Sequence, residues 1–106
     1  MKQKETLNRD NLIVQIIRGC VGKENAISGK ELARILTEKG YPTKHDYIHD
    51  LMSNLIKERF LPICSLSNKG YYFPKNRQDI ELAIQQLQLK ANEYLNRIEF
   101  LKSFIF

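Results

Sequence analysis

The sequence has no tryptophan and only two cysteines among its 106 residues. Cys20 and Cys64 lie in separate apolar runs, and neither has a second cysteine at metal-site spacing. We therefore interpret both as reduced, part-buried thiols. This usage excludes a disulfide-rich secreted domain and favours a cytoplasmic protein, in a bacterial cell or an infected host.

Long apolar runs and catalytic motifs are also lacking. No run is long enough to cross a bilayer, and the first residues, MKQKE, lack the apolar core of a signal peptide. We find no glycine-rich phosphate loop and no nucleophile elbow. His45 and His49 have the spacing of a chelating pair, but the sequence offers no convincing further ligand. We predict a protein that is not an enzyme, with no cofactor, no metal, no membrane partner and no small-molecule substrate.

The charge is basic overall, and its distribution is uneven. Seventeen Lys and Arg face twelve Asp and Glu, which gives a net charge of +5. Residues 1–30 have six basic against three acidic side chains, residues 31–60 have five of each, and residues 61–106 have six against four. A basic surplus favours an anionic partner such as nucleic acid. The central third, however, is electrically neutral.

Three helices are predicted before residue 60. The first covers residues 11–20 and is capped by Asn8 or Asp10. The second starts at Ser28, which forms a capping box with Glu31, and Gly40 stops it.

The third predicted helix starts at Thr43, with Asp46 three residues later as a second capping box, and runs to about residue 57 or 58. Its apolar positions, Ile48, Leu51 and Leu55, face inward. Two capped helices joined by a short turn are typical of a helix-turn-helix.

A β-hairpin follows in an otherwise helical chain. Residues 61–66 and 70–73 are predicted strands around a turn at residues 67–70. Gly70 tolerates the positive φ that such turns often need. An isolated hairpin is only marginally stable, so it must pack on the helix-turn-helix. The predicted fold class is mainly α with a small β-hairpin (α+β).

The last predicted element is a helix from residue 77 to about residue 104. Its apolar residues alternate at spacings of four and three, which is the rhythm of a coiled coil. A helix of this length exceeds what a domain of residues 1–75 requires, so we predict that residues 76–106 form a dimerisation helix, parallel or antiparallel. The alternative is a helix that packs back on its own domain. Beyond Ile80, the predicted dimerisation residues are Ile84, Leu87, Ala91, Tyr94, Ile98, Leu101 and Ile105.

Several short motifs carry a family resemblance. Residues 27–33 read ISGKELA, residues 48–51 read IHDL, and the hairpin contains LPICS at 61–65 and KGYY at 69–72. Together they resemble small winged helix-turn-helix proteins of phages, prophages and mobile elements in low-GC bacteria, over about residues 11–77. The resemblance implies a winged helix-turn-helix followed by a long C-terminal helix. It also implies sequence-specific binding of double-stranded DNA in transcription or replication control.

The expected DNA surface has two parts. The start of the recognition helix enters the major groove in such domains, and the hairpin, or wing, contacts the flank. Tyr71 and Tyr72 point to opposite faces of their strand, so one is expected in the core. The predicted DNA-binding residues are Thr43, Lys44, His45, His49, Asp50, Ser53 and Lys57 on the helix, and Asn68, Lys69 and Tyr72 on the wing.

A second function fits the neutral recognition helix. Winged helices also serve as protein–protein adaptors, and such an adaptor would bind a replication or host-defence factor through this surface. A solvated helix face without a partner is the remaining alternative for the residues at the start of the third helix.

Overall fold

The computed structural model describes residues 4–66 and 68–105, and that part contains four α-helices and one antiparallel hairpin. The predicted fold class is confirmed. Two 3₁₀ turns, Lys23–Asn25 and His45–Tyr47, precede α2 and α3. The elements are α1 (Lys4–Arg18), α2 (Gly29–Glu38), α3 (Ile48–Arg59), β1 (Cys64–Leu66), β2 (Gly70–Tyr72) and α4 (Arg77–Lys102).

Helix α1 starts earlier than predicted, because residues 4–9 contain no helix breaker. Asp10, one of the two predicted caps, lies in the middle of the helix and is 2% exposed. Its carboxylate accepts a hydrogen bond from the Arg9 guanidinium at 3.2 Å. Asp10 shares the inner face of α1 with Ile13 and Ile17, so its role is in packing the helix and not in starting it.

The core lies between the first three helices. Apolar residues repeat at helical spacing on one face of each, and their side chains pack together with no more than 6% exposure. Leu51, predicted to face inward, is only partly buried at the edge of this cluster. The cluster consists of Ile13, Ile17, Leu32, Ala33, Leu36, Ile48, Met52 and Leu55.

Helix α2 has the predicted start and stop. The Ser28 hydroxyl accepts a hydrogen bond from the Glu31 amide at 3.0 Å. The Glu31 carboxylate, however, binds Arg34 and does not complete the capping box. Gly40 has a φ of +94°, and the following amide, of Tyr41, donates to the Leu36 carbonyl at 2.8 Å, which closes the helix.

The prediction that Thr43 caps the third helix is wrong. Its hydroxyl donates to the Tyr41 carbonyl at 2.8 Å, and its amide donates to the Thr37 hydroxyl at 3.2 Å. Both groups are thus committed to the turn after α2. The chain then makes a 3₁₀ turn, and α3 begins at Ile48 without a side-chain cap.

The hairpin pairs with a third segment. Tyr71 and Ile27 exchange two backbone hydrogen bonds of 2.8 Å each, and two more join Phe73 to Cys20 and Gly22. The link between α1 and α2 therefore borders β2 on the side opposite β1. The hydrogen-bonded strands are shorter than predicted, and Ser67 in the turn lies outside the described residues.

Helix α4 leaves the domain after its first turns. The Asn76 side chain caps it by accepting from the Asp79 amide at 3.1 Å, and the Asp79 carboxylate accepts from the Lys75 amide at 2.9 Å. Asp79 is buried, and Leu82, Ala83 and Gln86 are half-buried. From residue 87 to residue 105 every side chain is exposed, so most of the helix projects from the domain.

Candidate nucleic-acid interface

The start of α3 and the wing border one cleft of about 270 Å³. His45 and His49 form one wall, and Ser65 and Tyr71 of the hairpin form the other. The His45 ring lies 3.2 Å from the point where a Cβ on Gly29 would stand, so a larger residue there would push this ring a few tenths of an ångström away from the start of α2. Two predicted contact residues and the wing are thus brought to one place.

Lys90 of α4 also lines this cleft. It was not among the predicted contacts, and neither was Gly29. Nothing in the sequence marks Lys90 as a neighbour of the wing, because its place depends on the angle at which α4 leaves the hairpin. Gly29 is the more detectable of the two, since it is the first residue of a capped helix, where free amides attract anions.

The other predicted residues at the start of α3 face a second, larger hollow. Thr43, Lys44 and Asp50 line it together with Tyr47, and Arg9 of α1 closes its far side. This hollow has a volume of about 680 Å³. The predicted contact residues are therefore divided between two sides of the helix, and Asp50 is separated from the wing.

Ser53 and Lys57 continue along α3 beyond His49, at intervals of one helical turn. Ser53 is half-buried and Lys57 is exposed. Neither lines the wing cleft, so they extend the exposed face of α3 away from the cleft.

At the wing tip Asn68 and Lys69 are exposed. The Lys69 amide donates to the Leu66 carbonyl at 3.1 Å, which closes the turn and leaves the lysine side chain outside it. Both side chains are therefore accessible from solvent at the tip of the hairpin.

The prediction that Tyr72 contacts DNA is wrong, because its side chain is 0% exposed. It belongs to the core and cannot reach DNA while the hairpin is intact. Its hydroxyl lies beside the Cys64 thiol, a weak acceptor, and no oxygen or nitrogen of the described residues completes a hydrogen bond with it. Burial raises the pKa of Tyr72, and the neighbouring Cys64 and Asp79 raise it further.

Residues 31–60 carry no net charge, and part of their positive charge is paired within α2. Arg34 forms ion pairs with Glu31 and Glu38, which raise its pKa. Lys69 and Lys90 form no ion pair within residues 4–66 and 68–105, and neither do Lys30 and Lys44. Because basic and acidic side chains balance in the central third, Lys69 and Lys90 add net positive charge beside it.

The predicted dimerisation stripe is uncovered along its whole length. Ala91 is exposed, and the six larger members have exposed fractions between 47% and 78%. Ile105 lies beyond the last helical residue, Lys102, so it extends the stripe without belonging to the helix. The larger members are Ile84, Leu87, Tyr94, Ile98, Leu101 and Ile105.

In residues 4–66 and 68–105, no group of three or more His, Cys, Asp or Glu side chains converges as metal ligands would, so His45 and His49 have no third ligand there. None of the helices described has both the length and the apolar character needed to span a bilayer. Comparison of the chain with protein-family models, with curated proteins and with solved structures gave no match.

Proposed function

We propose that this protein is a winged-helix protein that binds double-stranded DNA in a sequence-specific way. It acts as a dimeric regulator of transcription or replication in a phage or mobile element. The observation that carries the proposal is the shared cleft, in which His45 of the 3₁₀ turn and His49 of α3 stand opposite the hairpin that bears Lys69. A recognition helix and a wing must border one surface if both are to contact the same duplex.

The residues around the cleft divide the work of binding. His45 and His49 each have ring nitrogens that donate or accept hydrogen bonds at base edges or phosphates. The free amides at the start of α2 suit a phosphate oxygen. Lys69 and Lys90 supply net positive charge, which α2 and α3 lack because their basic and acidic side chains balance.

Dimerisation through α4 is part of the proposal. One neutral recognition helix with few phosphate contacts binds weakly, because phosphate neutralisation provides most of the non-specific affinity. Two copies joined through α4 double the contacts and read two half-sites. The exposed apolar stripe on α4 supports this arrangement, since monomers rarely leave large apolar patches uncovered.

The test is a salt titration of duplex binding. Fragments of the source genome that the protein retains are identified first, and their binding is measured by fluorescence anisotropy between about 50 and 200 mM salt. We expect Lys69→Ala to weaken binding and to reduce the slope of log K against log salt by about one.

Lys39→Ala is the matched control for this titration. Lys39 is an exposed lysine at the end of α2 opposite Gly29, so its loss should leave the slope unchanged. If no duplex is bound even at low salt, the DNA function is excluded.

A protein–protein adaptor is the second candidate, and the hollow beside α3 favours it. That hollow is lined by Tyr47, Pro42 and Leu51 as well as by charged groups, and it lies next to a neutral helix face. On this reading the partner is a replication or host-defence factor. The adaptor function is favoured if duplex binding is absent and Tyr47→Ala abolishes binding of a protein partner.

A further inference from the structure

We infer that two copies of α4 pair in antiparallel orientation, in a register that places Ala91 of each copy against Tyr94 of the other. The inference deepens the proposed dimer and rests on it for the pairing of two α4 helices. Three features of the exposed part of α4 carry it: residue sizes along the stripe, a second apolar patch, and the position of the domain on the helix.

The sizes along the stripe fit an antiparallel pair. In a parallel pair each residue faces its own copy, so Ala91 meets Ala91 and leaves a gap, while Tyr94 meets Tyr94 one layer later and is crowded. In the antiparallel register, Ala91 faces Tyr94 twice, and each layer combines a small side chain with a large one. The layers on either side then join Leu87 to Ile98 and Ile84 to Leu101, so every layer is filled.

A second apolar patch lies outside the stripe on the distal half of α4. Phe100 and Phe104 stack edge to face with ring centroids 5.1 Å apart, and both are more than half exposed. Three heptads separate them from Asp79 and Ala83, so all four lie on the same side of the helix. Asp79 and Ala83 are where α4 contacts its own domain.

The antiparallel pair covers this second patch, because it brings the distal half of one helix beside the domain of the other copy. Ala83 of one copy lies beside Phe104 of the second, on the side where the first copy's domain is attached. In a parallel pair the distal halves project away from both domains, and Phe100 and Phe104 stay in water. Only the antiparallel pair accounts for aromatic residues so far from their own domain.

Charges do not decide the orientation. In the antiparallel register Glu81 lies beside Lys102 of the second copy, while Lys90 lies near Arg97 of the second copy. A parallel pair would place Arg97 beside Lys102. All four residues are exposed, and such contacts contribute little. The antiparallel orientation is therefore inferred from the residue sizes along the stripe and from the exposed pair Phe100 and Phe104.

The antiparallel pair also sets the separation of the two domains. The register places Ile80 of one copy level with Ile105 of the other, so the two Ile80 residues stand about 37 Å apart along the axis at 1.5 Å per residue. Half-sites read by paired recognition helices are about 34–36 Å apart. A side-by-side parallel pair has no such built-in separation.

The first test is a distance measurement on the full chain without DNA. A nitroxide is attached at Lys102→Cys in a Cys20→Ser background, where Cys64 is too buried to react readily. In the antiparallel register residue 102 lies level with Ala83 of the second copy, so the two labels should be about 30 Å apart. A separation below about 20 Å, as expected for helices packed side by side in parallel, overturns the inference. A monomer at tens of micromolar protein overturns it too.

The second test is a double-mutant cycle on dimer dissociation, measured by sedimentation equilibrium. Ala91→Tyr alone places a tyrosine against Tyr94 of the second copy, which crowds the layer. Tyr94→Ala alone places an alanine against Ala91 of the second copy, which leaves a gap. Each variant should therefore weaken the dimer about tenfold. The combined swap restores a tyrosine against an alanine and should return to within about threefold of the original dissociation constant.

Additive losses in the swap variant would overturn the register, because in a parallel pair the two layers are independent. Both residues are exposed beyond the domain, so helicity by circular dichroism is expected to be unchanged in the monomers. The outcomes separate the two proposals. A chain that gives the 30 Å distance and the rescue but binds no duplex keeps the antiparallel pair and loses the DNA function.

Discussion

Replacing Gly70 with alanine should detach the wing from the link between α1 and α2. Gly70 has a φ of +109°, and a Cβ there would stand 2.1 Å from the Ile27 carbonyl oxygen. The contact involves rigid backbone, so the two segments must separate. Separation breaks the two hydrogen bonds between Ile27 and Tyr71, at about 1 kcal/mol each. With about 1–2 kcal/mol for the left-handed backbone, the expected loss is about 3–4 kcal/mol.

A control for backbone strain exists in the same chain. Gly40 has a similar φ of +94°, but a Cβ there would meet nothing within 4 Å. Gly40→Ala should therefore cost only the conformational part, about 1–2 kcal/mol. The difference between the two variants measures the contact between the hairpin and the link.

Urea denaturation followed by circular dichroism, at one fixed protein concentration, gives both numbers. With a slope of about 1.5 kcal/mol per molar urea, Gly70→Ala should lower the midpoint by about 2 M and Gly40→Ala by about 1 M. If the two losses agree within about 0.5 kcal/mol, the hairpin does not press against the link, and the reasoning is refuted.

Three further outcomes concern caps, buried groups and pH, all read from urea midpoints. Ser28→Ala should cost about 1 kcal/mol through the lost cap of α2, whereas Thr43→Ala should cost about 0.5 kcal/mol or less; equal losses would contradict the assignment of caps. Tyr72→Phe should stabilise the protein by about 1 kcal/mol at pH 7, and a clear loss would mean that the hydroxyl has a partner. Burial raises the pKa of thiols and phenols above their ordinary values of 9.0 and 10.0, so the contribution of these groups to folding stability should be constant below about pH 8.5 and should fall as pH rises beyond it, because the unfolded chain loses its protons first. Tyr72→Phe should reduce this alkaline loss, and an unchanged loss would assign it to other groups. The groups with raised pKa are Cys20, Cys64, Tyr71 and Tyr72.

The order and type of the elements could be predicted from the sequence, because local signals mark them. The Ser28 cap and the Gly40 stop are side-chain or glycine effects within a few residues, and both were predicted. The predicted cap at Thr43 is wrong because threonine occurs in turns as well as at helix caps, and its hydroxyl donates to the Tyr41 carbonyl instead. The local sequence does not show which of these two hydrogen bonds the hydroxyl forms.

The site was less predictable, because it depends on contacts between distant segments. Tyr71 and Tyr72 alternate across a strand, but only the pairing of β2 with both neighbours shows that Tyr72 is the buried one. The separation of His45 and His49 from Asp50 likewise follows from where the wing lies relative to α3. Lys90 enters the cleft because of the direction of α4, for which the sequence gives no local signal.

The pairing of β2 with the α1–α2 link also constrains the order in which the chain can fold. Ile27 is synthesised early, while its partner Tyr71 follows the whole helix-turn-helix. The backbone N–H and C=O groups of the link can therefore form their hydrogen bonds only after β2 has been synthesised. Pairing of segments so far apart in sequence is slow compared with helix formation. During synthesis the three helices can collapse around Leu32, Leu36 and Met52 first, with β2 then inserting between β1 and the link. We therefore expect the wing to be the last part of the domain to become native, and its loss to expose unpaired strand edges to other chains.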